Sequence, residues 1–189
     1  MRRGAARGAV TVVSPELIRA HATLQRGSHF LGLGLGGPGA APRAIEGRYR
    51  AKVIGNGLRE LDRFLNLLVG ETARCRGIAL PGGERNTANK LARLRHALRV
   101  PDPDHARLVA LGRSRNCLFH CAGTVRRGDG DGEAVMTTGW HGEGGGLRRV
   151  PVGAELVLSP AELSEICLFY RDIADRLLAE ARGPTNGTP

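Results

Sequence analysis

Aromatic residues are nearly missing from this chain. One tryptophan, two tyrosines and four phenylalanines amount to 4% of its residues, so its core has to be built from Leu, Val, Ile and Ala. Such a composition leans towards helix packed on helix. Lysine is almost absent as well: Lys52 and Lys90 are the only two, and every other basic side chain apart from histidine is arginine. No apolar run approaches the ~20 residues that a membrane-spanning helix needs. The cysteines Cys75, Cys117, Cys121 and Cys167 are too few and too scattered for the framework of a small secreted domain, and read as reduced thiols in a cytoplasmic protein. The opening "MRRGAARGAVTVV" lacks the apolar stretch and cleavage pattern of a secretory signal. It is Arg-rich and acid-free, a trait shared with organelle transit peptides, and residues 1–13 are expected to be a flexible basic start.

With 189 residues, 41% of them hydrophobic, the chain can bury a real core without disulfide staples. Its net charge of +10 makes an anionic partner plausible, nucleic acid ahead of membrane. The arginine and glycine bias behind that charge also arises from GC-rich coding.

Punctuation divides residues 14–183 into one helical domain. Ser14-Pro15-Glu16 opens a first helix running to about Gln25: serine caps, proline suits the first turn, and an acid follows. "FLGLGLGGPGAAP", Phe30 to Pro42, reads as a loop; no Lys-Ser/Thr follows its glycines, so it is not a phosphate loop. Ala44 to about Arg76 reads as one long helix, with Gly55 and Gly57 as candidate kinks and an apolar stripe through Leu58, Leu61, Phe64, Leu65 and Leu68. Thr87 to about Leu98 is a shorter helix, and Asp102-Pro103 starts another that reaches about Val125. "RRGDGDGE" is a solvated linker. Two β-prone runs around "HGEGGG" predict a small hairpin within an insertion at about 134–158. Ser159-Pro160-Ala161-Glu162 is a capping box opening the last helix, and residues 184–189 are a disordered tail. The expected fold is an all-α bundle of four to five helices with a small β-hairpin before the last one.

One stretch looks built for chemistry: "GRSRNCLFHCAG", Gly112 to Gly123. At ~100° per residue, Arg113, Asn116 and His120 fall on one edge of a helix, with Arg115 to the side and Leu108, Leu111 and Leu118 behind. Histidine can move protons at neutral pH, arginine can clamp a phosphate, and asparagine can orient either. RNA brings its own nucleophile, the 2′-hydroxyl, so such a set needs no metal.

Arg115-Asn116-Cys117-Leu118-Phe119-His120, an R-N-x-x-x-H series late in a helical bundle, resembles the signature of the HEPN superfamily. The resemblance implies a helical bundle that forms a homodimer and gathers Arg and His from both subunits in one cleft. It implies a metal-independent endoribonuclease with no cofactor, of toxin–antitoxin or antiviral-defence type, with RNA as substrate and a protein antitoxin as possible inhibitor. Carried over, Arg115 stabilises the scissile phosphate, His120 is the general base or acid, and Asn116 positions them. Arg113 ranks second as the arginine and otherwise serves RNA binding. Some members carry a tyrosine two residues after the histidine as a site of nucleotide modification; here that position is Ala122, so such regulation is not expected.

Other readings compete. A non-catalytic dimeric module binding RNA, a nucleotide or a protein partner fits the charge equally well. A structural subunit of a larger complex predicts an exposed apolar face along Ile45 to Leu68. Cys117, His120 and Cys121 lack the fourth ligand and loop-borne knuckles of a structural zinc site, and a cysteine nucleophile adjacent in sequence to its base points the wrong way. Trp140 and His141 either touch a nucleotide or, as is commoner for a lone tryptophan, seal the hairpin.

Overall fold

In a computed structural model that describes residues 13–37, 39–84 and 86–183, five helices and one hairpin follow in the order α1 (Pro15–Gly32), α2 (Arg50–Cys75), α3 (Thr87–Leu98), α4 (His105–His120), β1 (Val135–His141), β2 (Leu147–Pro151) and α5 (Pro160–Arg182). The mainly helical architecture with a hairpin before the last helix is the expected one. The expected flexible start and disordered tail lie outside the described residues, Val13 excepted.

Capping fixes the starts. The Ser14 hydroxyl accepts from the Leu17 amide, Asn86 accepts from Asn89, and Ser159 and Glu162 form a reciprocal capping box with Pro160 in the first turn. The helix ends depart from expectation in two places. α1 runs past Gln25 to Gly32, taking in the start of the Gly-rich stretch, because Gly27 and Gly32 lie in helix–helix contacts. A Cβ on Gly27 would stand 3.3 Å from Leu61, and one on Gly32 3.1 Å from Cys167 of α5. α4 stops at His120 rather than near Val125, since Ala122 (φ 50°) and Gly123 (φ 88°) turn left-handed there.

Two further corrections concern starts. α2 begins at Arg50, not Ala44. It is helical throughout Gly55 and Gly57, which serve close approach: a Cβ on Gly55 would meet the Phe119 amide nitrogen at 2.7 Å, and one on Gly57 would meet Leu31 at 2.8 Å. α4 begins at His105 because Asp102 and Asp104 are turned inward onto Arg95 and cap nothing.

α1 lies against α5 and α2, and α2 also packs on α3, α4 and α5. The face carrying Leu58, Leu61, Leu65 and Leu68 is therefore buried within the chain, whereas Tyr49, Val53 and Leu67 of the same stretch are exposed. Burying each such leucine contributes about 1.5–3 kcal/mol.

The hairpin belongs to the same core. β1 and β2 are antiparallel, pairing Met136 with Val150 and His141 with Leu147, with an irregularity between Thr137 and His141. Met136, Trp140 and Val150 are buried, and the Gly139 amide donates to Ser114 Oγ of α4 at 3.2 Å. A Cβ on Gly139 would sit 2.1 Å from Leu111 Cγ, so only glycine lets the strand lie this close to α4. Among the described residues no helix is long and apolar enough to cross a membrane.

Candidate functional site

The polar edge of α4 opens on two hollows. The larger, about 610 Å³, has His120, Asn116, Arg113 and Cys121 on the helix side; Arg126 to Asp131 form its second wall, and Met136 also lines it. The smaller, about 260 Å³, lies towards α2 and α3 and is lined by Arg115, Asp62, Asn86 and Thr87. Arg113 and Asn116 line both.

His120 is the last residue of α4 and is exposed. Its ring meets Phe119 edge-on, 4.8 Å between centroids. Phe119 in turn lies under the Arg59 guanidinium at 4.6 Å, with Lys52 Nζ at 5.9 Å, so two cations of α2 flank the ring next to the histidine's. Arg126 and Arg127 are exposed on the far wall of its cleft.

The two arginines of the edge part company. Arg115 Nη1 donates to Asp62 Oδ2 of α2 at 2.5 Å, and its Nε approaches Asn116 Oδ1 at 3.4 Å. Arg113 Nη1 donates to Asp129 Oδ1 at 2.7 Å. Asp129 also accepts from the Thr137 amide at 2.8 Å and from the Thr137 hydroxyl. Burial alone would raise the Asp129 pKa, but the Thr137 hydrogen bonds and the Arg113 charge outweigh it and hold the carboxyl below its usual range. The residues expected to form one cluster are therefore only partly gathered: Arg113, Asn116 and His120 share the larger cleft, whereas Arg115 opens on the smaller hollow.

Asp62 and Asp129 are the residues that sequence reasoning missed. Asp129 sits in "RRGDGDGE", read as a solvated linker, yet that segment is a wall of the cleft. The signal available was its acids, which a linker between an arginine-rich helix and a strand does not need.

The thiols are not presented to the cleft equally. Cys117 is buried, donates to the Thr124 carbonyl at 3.2 Å, and is pushed up to about 11 by burial and by Cys121. Trp140 is fully buried, with the Arg148 guanidinium 5.4 Å over its ring, so it seals the hairpin. His141 Nδ1 is paired with Glu165 at 2.6 Å, and Glu165 also takes Arg107 Nη2 at 2.8 Å. No protein-family model, curated protein or solved structure matches this chain.

Proposed function

We propose that this protein is a metal-independent endoribonuclease of HEPN type, active as a homodimer and belonging to a toxin–antitoxin or antiviral-defence system. The observation that carries the reading is His120. It stands exposed at the end of α4, in a cleft of about 610 Å³ that also holds Arg113 and Asn116 and is rimmed by Arg126 and Arg127. In the reaction the 2′-oxygen attacks the neighbouring phosphorus and the P–O5′ bond breaks. The proton leaves the 2′-hydroxyl, one is delivered to the 5′-oxygen, and the products carry a 2′,3′-cyclic phosphate and a 5′-hydroxyl. His120 serves the proton transfers, Asn116 orients, and an arginine of the same edge, Arg115 or Arg113, offsets the charge gathering on the phosphate.

Arg115 and His120 open on different, adjoining hollows of one chain, and a second copy that brought its own α4 edge to the first would set such a pair on one phosphate. A protein antitoxin would act by covering the cleft. The test is cleavage of a mixed RNA pool in EDTA. Wild type should cut and leave 2′,3′-cyclic ends, while His120→Ala should lose about 10²–10⁴-fold in rate, the usual share of a general acid–base residue. Equal cutting by the variant refutes the assignment.

The pairing of both arginines with aspartates favours a second reading, a dimeric module that binds RNA, a nucleotide or a protein partner without cleaving it. Wild type that never cuts, but retains RNA on a filter with an affinity that falls steeply with salt, would support it for RNA.

A further inference from the structure

Arg113 and His120 are seven positions apart on α4, which places them about 20° apart around the helix, whereas Arg115 and His120 stand about 140° apart. The cleft agrees with the wheel, because Arg113 lines it and Arg115 does not. What distinguishes Arg113 further is how it is held. One carboxylate oxygen of Asp129 takes the guanidinium at 2.7 Å and the Thr137 amide at 2.8 Å, and the other takes the Thr137 hydroxyl. The Asp129 amide donates to Val135 at 3.0 Å, so both ends of the residue are tied to β1. Two residues beyond Thr137, Gly139 is seated on Leu111 and bonded to Ser114, the next residue of α4 after Arg113. The hairpin thus grips α4 and orders the connector that brings Asp129 to it.

We propose, resting on the ribonuclease reading, that Arg113 is the arginine that holds the scissile phosphate beside His120, and that Asp129, locked by Thr137, is the positioning residue that aims it. A guanidinium has five N–H donors, and Asp129 engages one nitrogen, leaving the rest of the fork for phosphate oxygens. An arginine fixed before substrate arrives stabilises the developing charge without reorganising. Arg126 and Arg127 on the second wall extend the grip to neighbouring phosphates, with Asp131 beside them limiting the local excess of positive charge. The hairpin is, on this account, part of the catalytic apparatus.

The experiment is single-turnover RNA cleavage in EDTA by wild type, Arg113→Ala, Arg115→Ala and Asp129→Asn, with and without added guanidinium at low millimolar concentration. Thermal unfolding establishes that each is folded. Arg113→Ala should fall about 10²–10³-fold, as when a single charge-stabilising donor is removed, and guanidinium should restore part of the rate. Asp129→Asn should cut about tenfold more slowly, because a charge-assisted hydrogen bond becomes a neutral one. Its RNA affinity should not fall, since a negative charge leaves the cleft wall, and guanidinium should not help it. If Arg113→Ala fails to fold, Arg113→Lys retains the charge towards Asp129 but not the fork, and should keep stability while losing rate. The inference is overturned if Arg113→Ala cuts at the wild-type rate, or if guanidinium rescues Arg115→Ala and not Arg113→Ala. A wild type that does not cut RNA removes the ribonuclease reading and this inference with it, whereas an active wild type with an unimpaired Arg113→Ala removes the inference alone.

Discussion

Replacing Arg95 by methionine tests what joins the α3–α4 turn to α5. Arg95 is 1% exposed, and its Nη1 lies 2.7 Å from both Asp102 and Asp104, with Glu180 of α5 at 3.7 Å from Nε. Arg176 also reaches Asp104 at 2.6 Å. Methionine fills most of the volume but leaves Asp102 and Glu180 without their main cation. Removing one partner of a buried ion pair costs about 3–5 kcal/mol. For a chain of this size that lowers Tm by roughly 6–20 °C, at 2–4 °C per kcal/mol. The loss should depend on pH in a definite sense. Burial already raises the Glu180 pKa, with the attraction of Arg95 opposing it. A carboxyl whose folded pKa is raised contributes its full stability below the unfolded value, near ~4.3, and loses it as pH rises through the folded one. Without Arg95 the Glu180 pKa rises further, so the deficit against wild type should be larger at pH 7.5 than at pH 4.5. Differential scanning calorimetry at both pH values is the assay. A drop of less than about 3 °C at pH 7.5, or a deficit that grows on acidification, would refute the view that Arg95 neutralises a buried carboxylate cluster.

Gly55→Ala should destabilise the fold by about 1–3 kcal/mol in urea titration despite alanine's higher helix propensity, because its methyl would stand 2.7 Å from the Phe119 backbone nitrogen. A variant as stable as wild type would show that α2 and α4 can separate at no cost. Native alkylation at pH 8 followed by mass mapping should spare Cys117, pushed up to about 11, and Cys167, pushed up to about 12 by burial, while half-buried Cys75 and Cys121 react. With a pKa near 11, roughly one Cys117 thiol in a thousand is ionised at pH 8. Labelling of all four at one rate would contradict the packing described.

What could be read from the sequence was local. Ser14-Pro15 and Ser159-Pro160 each bring their own hydrogen-bond acceptor to a helix start, and both starts are found there. Glycine misled where its role is set by a distant partner. Gly32 reads as a breaker and Gly55 as a kink, yet each sits in a helix at the point where another element comes close. Asp102 reads as a helix start, but its carboxylate is taken by Arg95, seven residues earlier in the chain and on the preceding helix. The polar edge of α4 was legible because it depends only on the turn per residue. Which arginine shares a hollow with His120 was not fully legible, since Asp62 and Asp129 come from other parts of the chain to fix Arg115 and Arg113.

Those two aspartates also tie the two arginines to differently anchored parts of the fold. Arg115 ties α4 to α2, an element anchored by buried leucines along its length. Arg113 is tied instead to a connector whose own order derives from the hairpin. The hairpin is held by buried Met136, Thr138, Trp140 and Val150, by the Gly139 contact, and by hydrogen bonds to Ser114, Arg107, Glu162 and Glu165, fewer buried groups than α2 has along its length. Elements with fewer buried contacts open at lower free energy than the global transition. Local opening of the hairpin would therefore release Arg113 from Asp129 while leaving His120 on an intact helix. A perturbation of the hairpin core, Trp140→Leu for instance, then frees Arg113 before it disturbs His120.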